Sequence, residues 1–320
     1  MRSSIFTLDM PLDEEIVFHK WEFSPTEHQL PVVTAEEAGP RVTLITGIHG
    51  DEVNGPYIAW KLIRRFTEHP EDIVNGLVRI IPAANPFGLH LSSHAWPFDQ
   101  MDINSMFPGY LAGETTQRIA AHLFHEVSSS DFCINIHSGT HNLFELPQVR
   151  LYESCHNHES AARNFGLPLV WLRKATHPLD KTLFASQVGR AGIATFTIHA
   201  GQAQRVDVFA AEDTYSGILR FLAGIGVIRA VAPDPTSMPS LVVTSEQIID
   251  VVSPDAGLFM TEQETGINIR KGDVVGSLVD PCVGGPPVIV KSPVDGLLIT
   301  LKVHPVTYEG DLLARIATRQ

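Results

Sequence analysis

Two histidines and a glutamate have the types and the spacing of ligands for a catalytic metal ion. His49 and Glu52 are three residues apart in residues 47–55 (GIHGDEVNG). This spacing brings an imidazole and a carboxylate toward one point where a helix begins. Zinc accepts neutral imidazole nitrogen and carboxylate oxygen, and a catalytic zinc uses three protein ligands while a fourth position stays open. We predict that His137, in residues 134–139 (INIHSG), is the third ligand and that the chain binds one zinc ion.

Both histidines stand at the ends of predicted strands. Residues 41–46 (RVTLIT) indicate a buried strand before His49, and residues 131–136 (DFCINI) indicate one before His137. Alternating strands and helices predict an α/β domain with a mostly parallel or mixed sheet flanked by helices. Ligands of such sheets bind at the carboxyl ends of the strands, where both histidines lie. The remaining predicted strands cover 77–81, 167–172 and 194–199, and the predicted helices cover 52–67, 115–127 and 214–225.

A third strand of this region also ends in a histidine, His199 in residues 194–201 (ATFTIHAG). Because it ends a strand as His137 does, we expect its side chain to reach the same cleft. A neutral histidine, with an unperturbed pKa near ~6.5, could accept a proton from a zinc-activated water. Two alternatives stay open. His199 could be a fourth zinc ligand, which would make the zinc structural, or a hydrogen-bonded histidine of the core.

A change of composition divides the chain near residue 240. Residues 231–240 (VAPDPTSMPS) contain three prolines and two serines, which is typical of a linker. Beyond them, residues 253–259 (SPDAGLF) resemble residues 292–298 (SPVDGLL), and this repetition indicates a duplicated β unit. We predict a catalytic domain at 1–240 and a small all-β barrel or sandwich at 241–320. The unit resembles the hammerhead-like barrel of biotinyl domains but lacks their modified lysine, so we expect no swinging-arm cofactor.

The charge of the chain argues against a nucleic-acid partner. Lys and Arg number 23 and Asp and Glu number 36, so the net charge of −13 would repel a phosphate backbone. The three cysteines form no paired pattern, which is typical of a reducing compartment. The first residues lack the apolar run of a signal peptide, and no stretch approaches the ~18 apolar residues of a membrane span. We expect a cytoplasmic protein that acts on a small molecule, away from membranes, and we leave a homo-oligomer open.

The motifs and their order resemble the succinylglutamate desuccinylase/aspartoacylase family, relatives of the zinc carboxypeptidases. Residues 47–55 resemble its first metal motif, and residues 136–139 (IHSG) resemble its third-ligand motif. Residues 102–104 (DIN), together with 85–86 (NP) and 107–109 (FPG), resemble its middle motif, which places Asn104 at the substrate. The likeness spans roughly residues 41–315. It implies a carboxypeptidase-like α/β fold and zinc-dependent hydrolysis of a small N-acyl compound.

The chain departs from the family pattern at three positions that handle the substrate. Ser105 and His94 stand where the family has arginines that bind a substrate carboxylate or polarise the scissile carbonyl. Neither residue offers the planar, bidentate donors of a guanidinium. His199 stands where the family has a catalytic glutamate. Arg150 and Arg205 are the cations we consider for binding an anionic substrate in their place.

These observations predict a zinc-dependent hydrolase that cleaves an amide, or an ester, of a small acyl compound through a zinc-activated water. The rival hypothesis is a zinc-binding protein of the same fold with little or no turnover. A peptide-cleaving carboxypeptidase is disfavoured because the arginines that would bind the substrate carboxylate are missing. Glu145 as a base and Tyr110 as an oxyanion donor are further hypotheses, each weighed against an ordinary loop or surface position.

Overall fold

One long mixed sheet forms the centre of the protein. The computed structural model describes residues 1–9, 15–25, 39–230 and 240–319. The strands are β1 (Arg2–Asp9), β2 (Glu15–Phe23), β3 (Arg41–Thr46), β4 (Leu77–Ile81), β5 (Phe132–Gly139), β6 (Leu143–Tyr152), β7 (Leu169–Arg173), β8 (Ala194–Gln202), β9 (Leu241–Thr244), β10 (Ile248–Val252), β11 (Gly257–Met260), β12 (Asn268–Ile269), β13 (Val274–Val279), β14 (Val288–Lys291), β15 (Gly296–Lys302), β16 (Val306–Thr307) and β17 (Leu312–Ala317). The α-helices are α1 (Asn54–Glu68), α2 (Pro86–Leu91), α3 (Thr115–Val127), α4 (Glu159–Arg163), α5 (Phe184–Arg190) and α6 (Val208–Gly224).

The middle of this sheet consists of parallel strands. The order is β1-β2-β4-β3-β5-β8-β6-β15-β17-β10, and β4, β3, β5 and β8 run parallel to their neighbours in that group. β6 runs antiparallel to β8, and β2 runs antiparallel to β4. The central strands are buried along most of their length because helices cover both faces of the sheet. The predicted α/β fold with a mixed sheet flanked by helices is confirmed.

The helices pack on opposite faces of the sheet over two separate apolar clusters. Ile58, Leu62 and Phe66 of α1 lie in one cluster together with Phe221 of α6. Leu123 of α3 lies in the other cluster. Each helix buries apolar residues at helical spacing, so packing on the sheet stabilises the amphipathic segments that the sequence predicts. Among the described residues, no helix has both the length and the apolar character needed to cross a membrane.

Several element boundaries differ from the prediction. The helix predicted at 214–225 begins at Val208, because the side chain of Asp207 caps its first turn by accepting a hydrogen bond from the Ala210 amide at 3.0 Å. The strand predicted at 194–199 continues to Gln202. The sequence analysis did not predict β1, β2 or β6. The interpretation of Glu145 as a loop carboxylate is wrong, because this residue lies inside β6.

Some strands after residue 240 extend the central sheet, and others form a separate sheet. β15 pairs antiparallel with β6, and β9 pairs parallel with β7. A separate four-stranded antiparallel sheet has the order β14-β13-β11-β16. Of the predicted linker, residues 231–239 lie outside the described residues, so the boundary at 240 stays a prediction.

The two similar segments of the C-terminal region make matching contacts. The Ser253 hydroxyl donates to the Asp255 carbonyl at 2.7 Å, and the Ser292 hydroxyl donates to the Val294 carbonyl at 2.6 Å. The first serine of each segment also accepts a backbone hydrogen bond from outside the segments: the amide of Gly272 donates to the Ser292 carbonyl, and the amide of Gly310 donates to the Ser253 carbonyl. The two segments therefore share one local turn, and the duplication of a β unit stays a prediction.

Candidate active site

The carboxylate of Glu52 lies between two imidazole rings. Its Oε1 is 2.9 Å from Nδ1 of His49, and its Oε2 is 2.9 Å from Nδ1 of His137. The backbone amide of Ser138 donates to Oε2 at 3.0 Å. All three side chains are buried. The structure thus brings together the three residues that the sequence analysis predicted as metal ligands.

The ends of two adjacent parallel strands position these groups. β3 and β5 are paired with Thr46 opposite Ile136, so His49 and His137 follow the same edge of the sheet. Gly47 has φ of +64°, which turns the chain out of β3. A side chain at Gly50 would overlap the backbone of Gly88 in α2, so only glycine fits this close approach. The glycines of the motif therefore serve the turn that carries His49 and Glu52 into the site.

A second carboxylate orients the ring of His49. Oδ1 of Asp102 lies 3.1 Å from Nε2 of His49 and also accepts a hydrogen bond from the Asn104 amide at 2.8 Å. Nε2–H can therefore donate to Asp102, which leaves the lone pair of Nδ1 for a cation. An outer carboxylate of this kind commonly fixes the tautomer of a metal-binding histidine.

Asn135 can orient His137 in the same way. Its carboxamide nitrogen lies 2.8 Å from Nε2 of His137, and its buried Oδ1 has no hydrogen-bond partner. The opposite orientation of this carboxamide would allow Nε2–H of His137 to donate to Oδ1. That arrangement gives Oδ1 a partner and leaves Nδ1 of His137 deprotonated beside Glu52.

Charge and burial act against each other in this cluster. Burial raises the pKa of Glu52, but His49 and His137 outweigh it and hold the pKa well below its usual range. Burial lowers the pKa of His49, but Glu52 and Asp102 outweigh it and raise the pKa to about 10. A protein without metal therefore keeps Glu52 ionised and a proton on His49. A divalent cation could take the place of that proton.

His199 lies next to the metal-ligand candidates. It is paired with His137 across β5 and β8, and the two rings stack with centroids 5.3 Å apart. Burial, together with the positive charge of Arg150, holds the pKa of His199 well below its usual range. His199 is therefore neutral at neutral pH. It lines a cavity of about 90 Å³ together with His49, Glu52 and His137.

His94 completes a second possible set of metal ligands, which also contains His49 and Glu52. Ligand atoms of His49, Glu52 and His94 all lie within 4.8 Å of one another. The ring of His94 stacks on that of His49 with centroids 3.8 Å apart, while its side chain is 52% exposed. His49 and Glu52 thus belong to both sets, and His94 and His137 differ in burial. The sequence analysis had assigned His94 to the substrate.

Some of the predicted substrate residues line the cavity and others do not. Asn104 lines it, whereas Ser105 does not and donates its hydroxyl to the Asp102 carbonyl at 2.9 Å. Arg150 does not line it either, and its guanidinium pairs with Glu145 at 3.0 Å. Arg205 lies on the surface with its side chain 60% exposed.

The two weaker candidates lie elsewhere. Glu145 is occupied by Arg150 and by the hydroxyl of Thr300, which donates at 2.9 Å. Tyr110 is exposed and does not line the cavity. The arginine that does line the cavity is Arg173, the last residue of β7, which the sequence analysis did not consider. The rule that strand ends carry ligands would have indicated this residue.

A comparison with known families assigns the chain to a class of deacylases. Residues 38–225 match the catalytic domain described as Succinylglutamate desuccinylase/Aspartoacylase. This match covers more than half of the chain, so the chain belongs to the succinylglutamate desuccinylase/aspartoacylase family. The family resemblance noted in the sequence is confirmed.

Individual relatives agree with this assignment. The N-alpha-acetyl-L-2,4-diaminobutyric acid deacetylase of Halomonas elongata is 27% identical over 306 residues, which cover 90% of this chain and 85% of that protein. The product-bound ectoine utilization protein of Ruegeria pomeroyi has a TM-score of 0.81 at 20% identity, covering 99% of this chain and 95% of that one. A succinylglutamate desuccinylase/aspartoacylase from Rhodobacter sphaeroides has a TM-score of 0.79 at 22% identity, covering 99% and 96%. At these identities the two structures show the shared fold.

Proposed function

We propose that the chain is a zinc-dependent deacylase that hydrolyses the amide bond of an N-acyl amino acid. The observation that carries the proposal is the buried carboxylate of Glu52, which lies 2.9 Å from Nδ1 of His49 and 2.9 Å from Nδ1 of His137. In this proposal the three residues hold one zinc ion per chain. His199, at the wall of the same cavity, is the general base.

The donor set fits zinc. Two imidazole nitrogens and one carboxylate, with an open fourth position, are the ligands of many catalytic zinc sites. Asp102 and Asn135 supply the outer contacts that such histidines require. We prefer His137 to His94 as the second histidine, because His137 is buried on a rigid strand and His94 is half exposed. A zinc ion held here would polarise the scissile carbonyl and acidify a water molecule.

The residues around the ion would handle protons and orient the substrate. His199 is neutral and would accept the proton of the attacking water, then pass it to the departing amine. The amide side chain of Asn104 lines the cavity and could hydrogen-bond the acyl or amine part of the substrate. The buried hydroxyl of Thr197 has no hydrogen-bond partner and faces the same space, so it is free to bind a polar substrate atom.

The substrate class follows from the family and from the size of the cavity. The Halomonas elongata relative is named for removing an N-alpha-acetyl group from diaminobutyric acid. A cavity of about 90 Å³ leaves room for a short acyl group. We therefore propose an acetylated amino acid as the substrate and an amide as the bond cleaved.

The test is release of free amine from a panel of N-acetyl-L-amino acids. Zinc-loaded protein should release amine, and protein stripped with a chelator should not, with activity returning when zinc is added back. Zinc binding without amine release from any member of the panel would contradict the proposal. That result would favour the rival hypothesis of a zinc-binding protein with little or no turnover.

A further inference from the structure

Arg173 is the one cation among the described residues that line the cavity, apart from its histidines. It ends β7, which pairs parallel with β6. The guanidinium lies over the ring of Trp171, with 5.1 Å to the centroid, and near the ring of Tyr152, with 5.6 Å to the centroid. Two aromatic rings therefore restrict where the guanidinium can lie.

The guanidinium of Arg173 lacks an acceptor. Its Nε is buried and has no hydrogen-bond partner, and within the described ranges no carboxylate oxygen lies within 4.0 Å of the side chain. The nearby carboxylate of Asp180 accepts hydrogen bonds from the backbone amides of Thr176 at 2.8 Å and His177 at 3.0 Å instead. A buried N–H group without an acceptor is costly, and a bound anion would remove that cost.

Arg150, the neighbouring arginine, has a counter-ion that Arg173 lacks. Arg150 lies over the same Trp171 ring, with 4.9 Å to the centroid, and Glu145 supplies its counter-ion at 3.0 Å. The two guanidinium groups repel each other, and Glu145 pairs with Arg150 and, at 3.5 Å, with Arg315, but not with Arg173. The cavity wall beside Tyr152 therefore carries a positive charge that no carboxylate of the described residues pairs at hydrogen-bonding distance, which favours an anion.

We propose that Arg173 binds the α-carboxylate of the N-acyl amino acid, a role that rests on the proposed function. The family arginines of the middle motif are replaced by Ser105 and His94, and neither offers a guanidinium. Arg173 approaches the cavity from a different strand and replaces that contact with one of its own. Because the cavity has this single guanidinium, it selects substrates with one carboxylate near the scissile bond.

The experiment compares an acid with its uncharged analogue. The substrates are Nα-acetyl-L-2,4-diaminobutyrate and its α-carboxamide, and the variants are Arg173→Met and Arg173→Lys. Arg173→Met should lower kcat/KM for the acid about 10- to 100-fold, the usual loss on removing a charge-assisted hydrogen bond, and should leave the carboxamide unchanged. Arg173→Lys should recover part of the loss. Arg64→Met, which removes an exposed arginine of α1 outside the cavity, is the matched control and should behave as wild type.

A binding measurement separates this proposal from the proposed function. Calorimetry on zinc-loaded protein uses the product, L-2,4-diaminobutyrate, and its carboxamide, neither of which is turned over. Wild type should bind the acid at least ~10-fold more tightly than the carboxamide, and Arg173→Met should remove that difference. If wild type releases amine from no member of the N-acetyl-L-amino acid panel, the function fails and the binding preference still decides the role of Arg173. Equal losses for acid and carboxamide, or no binding preference in wild type, would overturn the assignment.

Discussion

His137 and His199 lie opposite each other on the parallel strands β5 and β8, and their rings stack with centroids 5.3 Å apart and planes inclined by 24°. One ring faces Glu52 through Nδ1, while the other has a pKa held well below its usual range by burial and by Arg150. The stacked pair therefore combines a ligand candidate with a base candidate that stays neutral. Strand pairing, rather than a flexible loop, sets the distance between the two.

Replacement of His199 tests its role as the base. His199→Ala should keep zinc bound and should lower kcat by roughly 10²–10⁴, the usual contribution of general acid–base catalysis. His199→Glu should restore part of the activity, because a carboxylate is also a proton acceptor. The measurements are zinc content and steady-state amine release. Loss of zinc in His199→Ala would identify a fourth ligand, and wild-type turnover would remove His199 from the mechanism.

The choice between His137 and His94 can be decided by metal analysis. His49→Ala and His137→Ala should both lose zinc, because each removes one of the nitrogens that face Glu52. His94→Ala is the matched control and should retain one zinc per chain. Elemental analysis of dialysed protein gives the answer. Retention of zinc by His137→Ala together with its loss from His94→Ala would show that the half-exposed histidine is the ligand.

His49, Glu52 and His137 could be predicted as metal ligands because general rules for strand ends and turns apply to them. Buried strands of the type RVTLIT are apolar on both sides, and polar residues directly after them reach one edge of a parallel sheet. His49 follows β3 and His137 lies near the carboxyl end of β5, and the glycines around His49 indicate the turn that Glu52 requires. The periodicity of α1 and α3 was equally clear.

β6 could not be recognised because its buried face is polar. The run LFELPQVRLY contains Glu145, Gln148 and Arg150, residues that the sequence presents as a loop. Their charges and amides satisfy one another, and Thr300 of β15 contributes from a strand 155 residues away. Only tertiary structure reveals such a network. Arg173, by contrast, ends β7, so the rule for strand ends would have indicated it from the sequence.

Zinc binding should release a proton. In metal-free protein Glu52 and Asp102, acting against burial, raise the pKa of His49 to about 10, so zinc must displace that proton. Affinity should rise with pH up to that value, with about one proton released per zinc near pH 7–8. Calorimetry in buffers of different ionisation enthalpy measures the release. Zinc affinity independent of pH would contradict it.

The same proton gives the metal-free protein a distinctive pH dependence of stability. The folded state holds the proton up to about pH 10, and the unfolded chain holds it only to about 6.5. The contribution to stability is therefore complete below about 6.5 and is lost as the pH rises through about 10. Urea unfolding of stripped protein at pH 7 and pH 10 should show the decrease. His49→Asn should reduce the difference, because it removes the titrating group.

The substitutions at Ser105 and His94 predict weak activity on substrates with two or more carboxylates. N-acetylaspartate and N-succinylglutamate each carry more negative charge than the single guanidinium of Arg173 can pair. Loss of one charge-assisted contact costs a few kcal/mol, hence roughly 100-fold or more in kcat/KM relative to a monocarboxylate. Kinetics on N-acetylaspartate and N-acetylalanine provide the comparison. Equal efficiency on the two would show that another cation reaches the substrate.

Glu145 should be a major source of stability although it takes no part in the proposed chemistry. It lies buried between Arg150 of its own strand, at 3.0 Å, and Arg315 of β17, at 3.5 Å, and it accepts a hydrogen bond from Thr300 of β15. Glu145→Gln would leave the buried guanidinium of Arg150 without a counter-ion. The loss of one partner from a buried ion pair typically costs about 3–5 kcal/mol.

Chemical denaturation of Glu145→Gln should therefore show a clearly lower midpoint. The zinc content of the folded protein should stay at the wild-type level, because Glu145 does not contact the ligand candidates. Glu246→Gln removes an exposed glutamate whose ion pair with Lys174 spans 3.7 Å, and it should leave the midpoint unchanged. Since Glu145 also joins β6 to β15 and β17, its loss should expose the C-terminal strands first, which hydrogen exchange would detect as faster exchange in residues 296–317. An unchanged midpoint in Glu145→Gln would show that water reaches Arg150 and that the network contributes little to the junction.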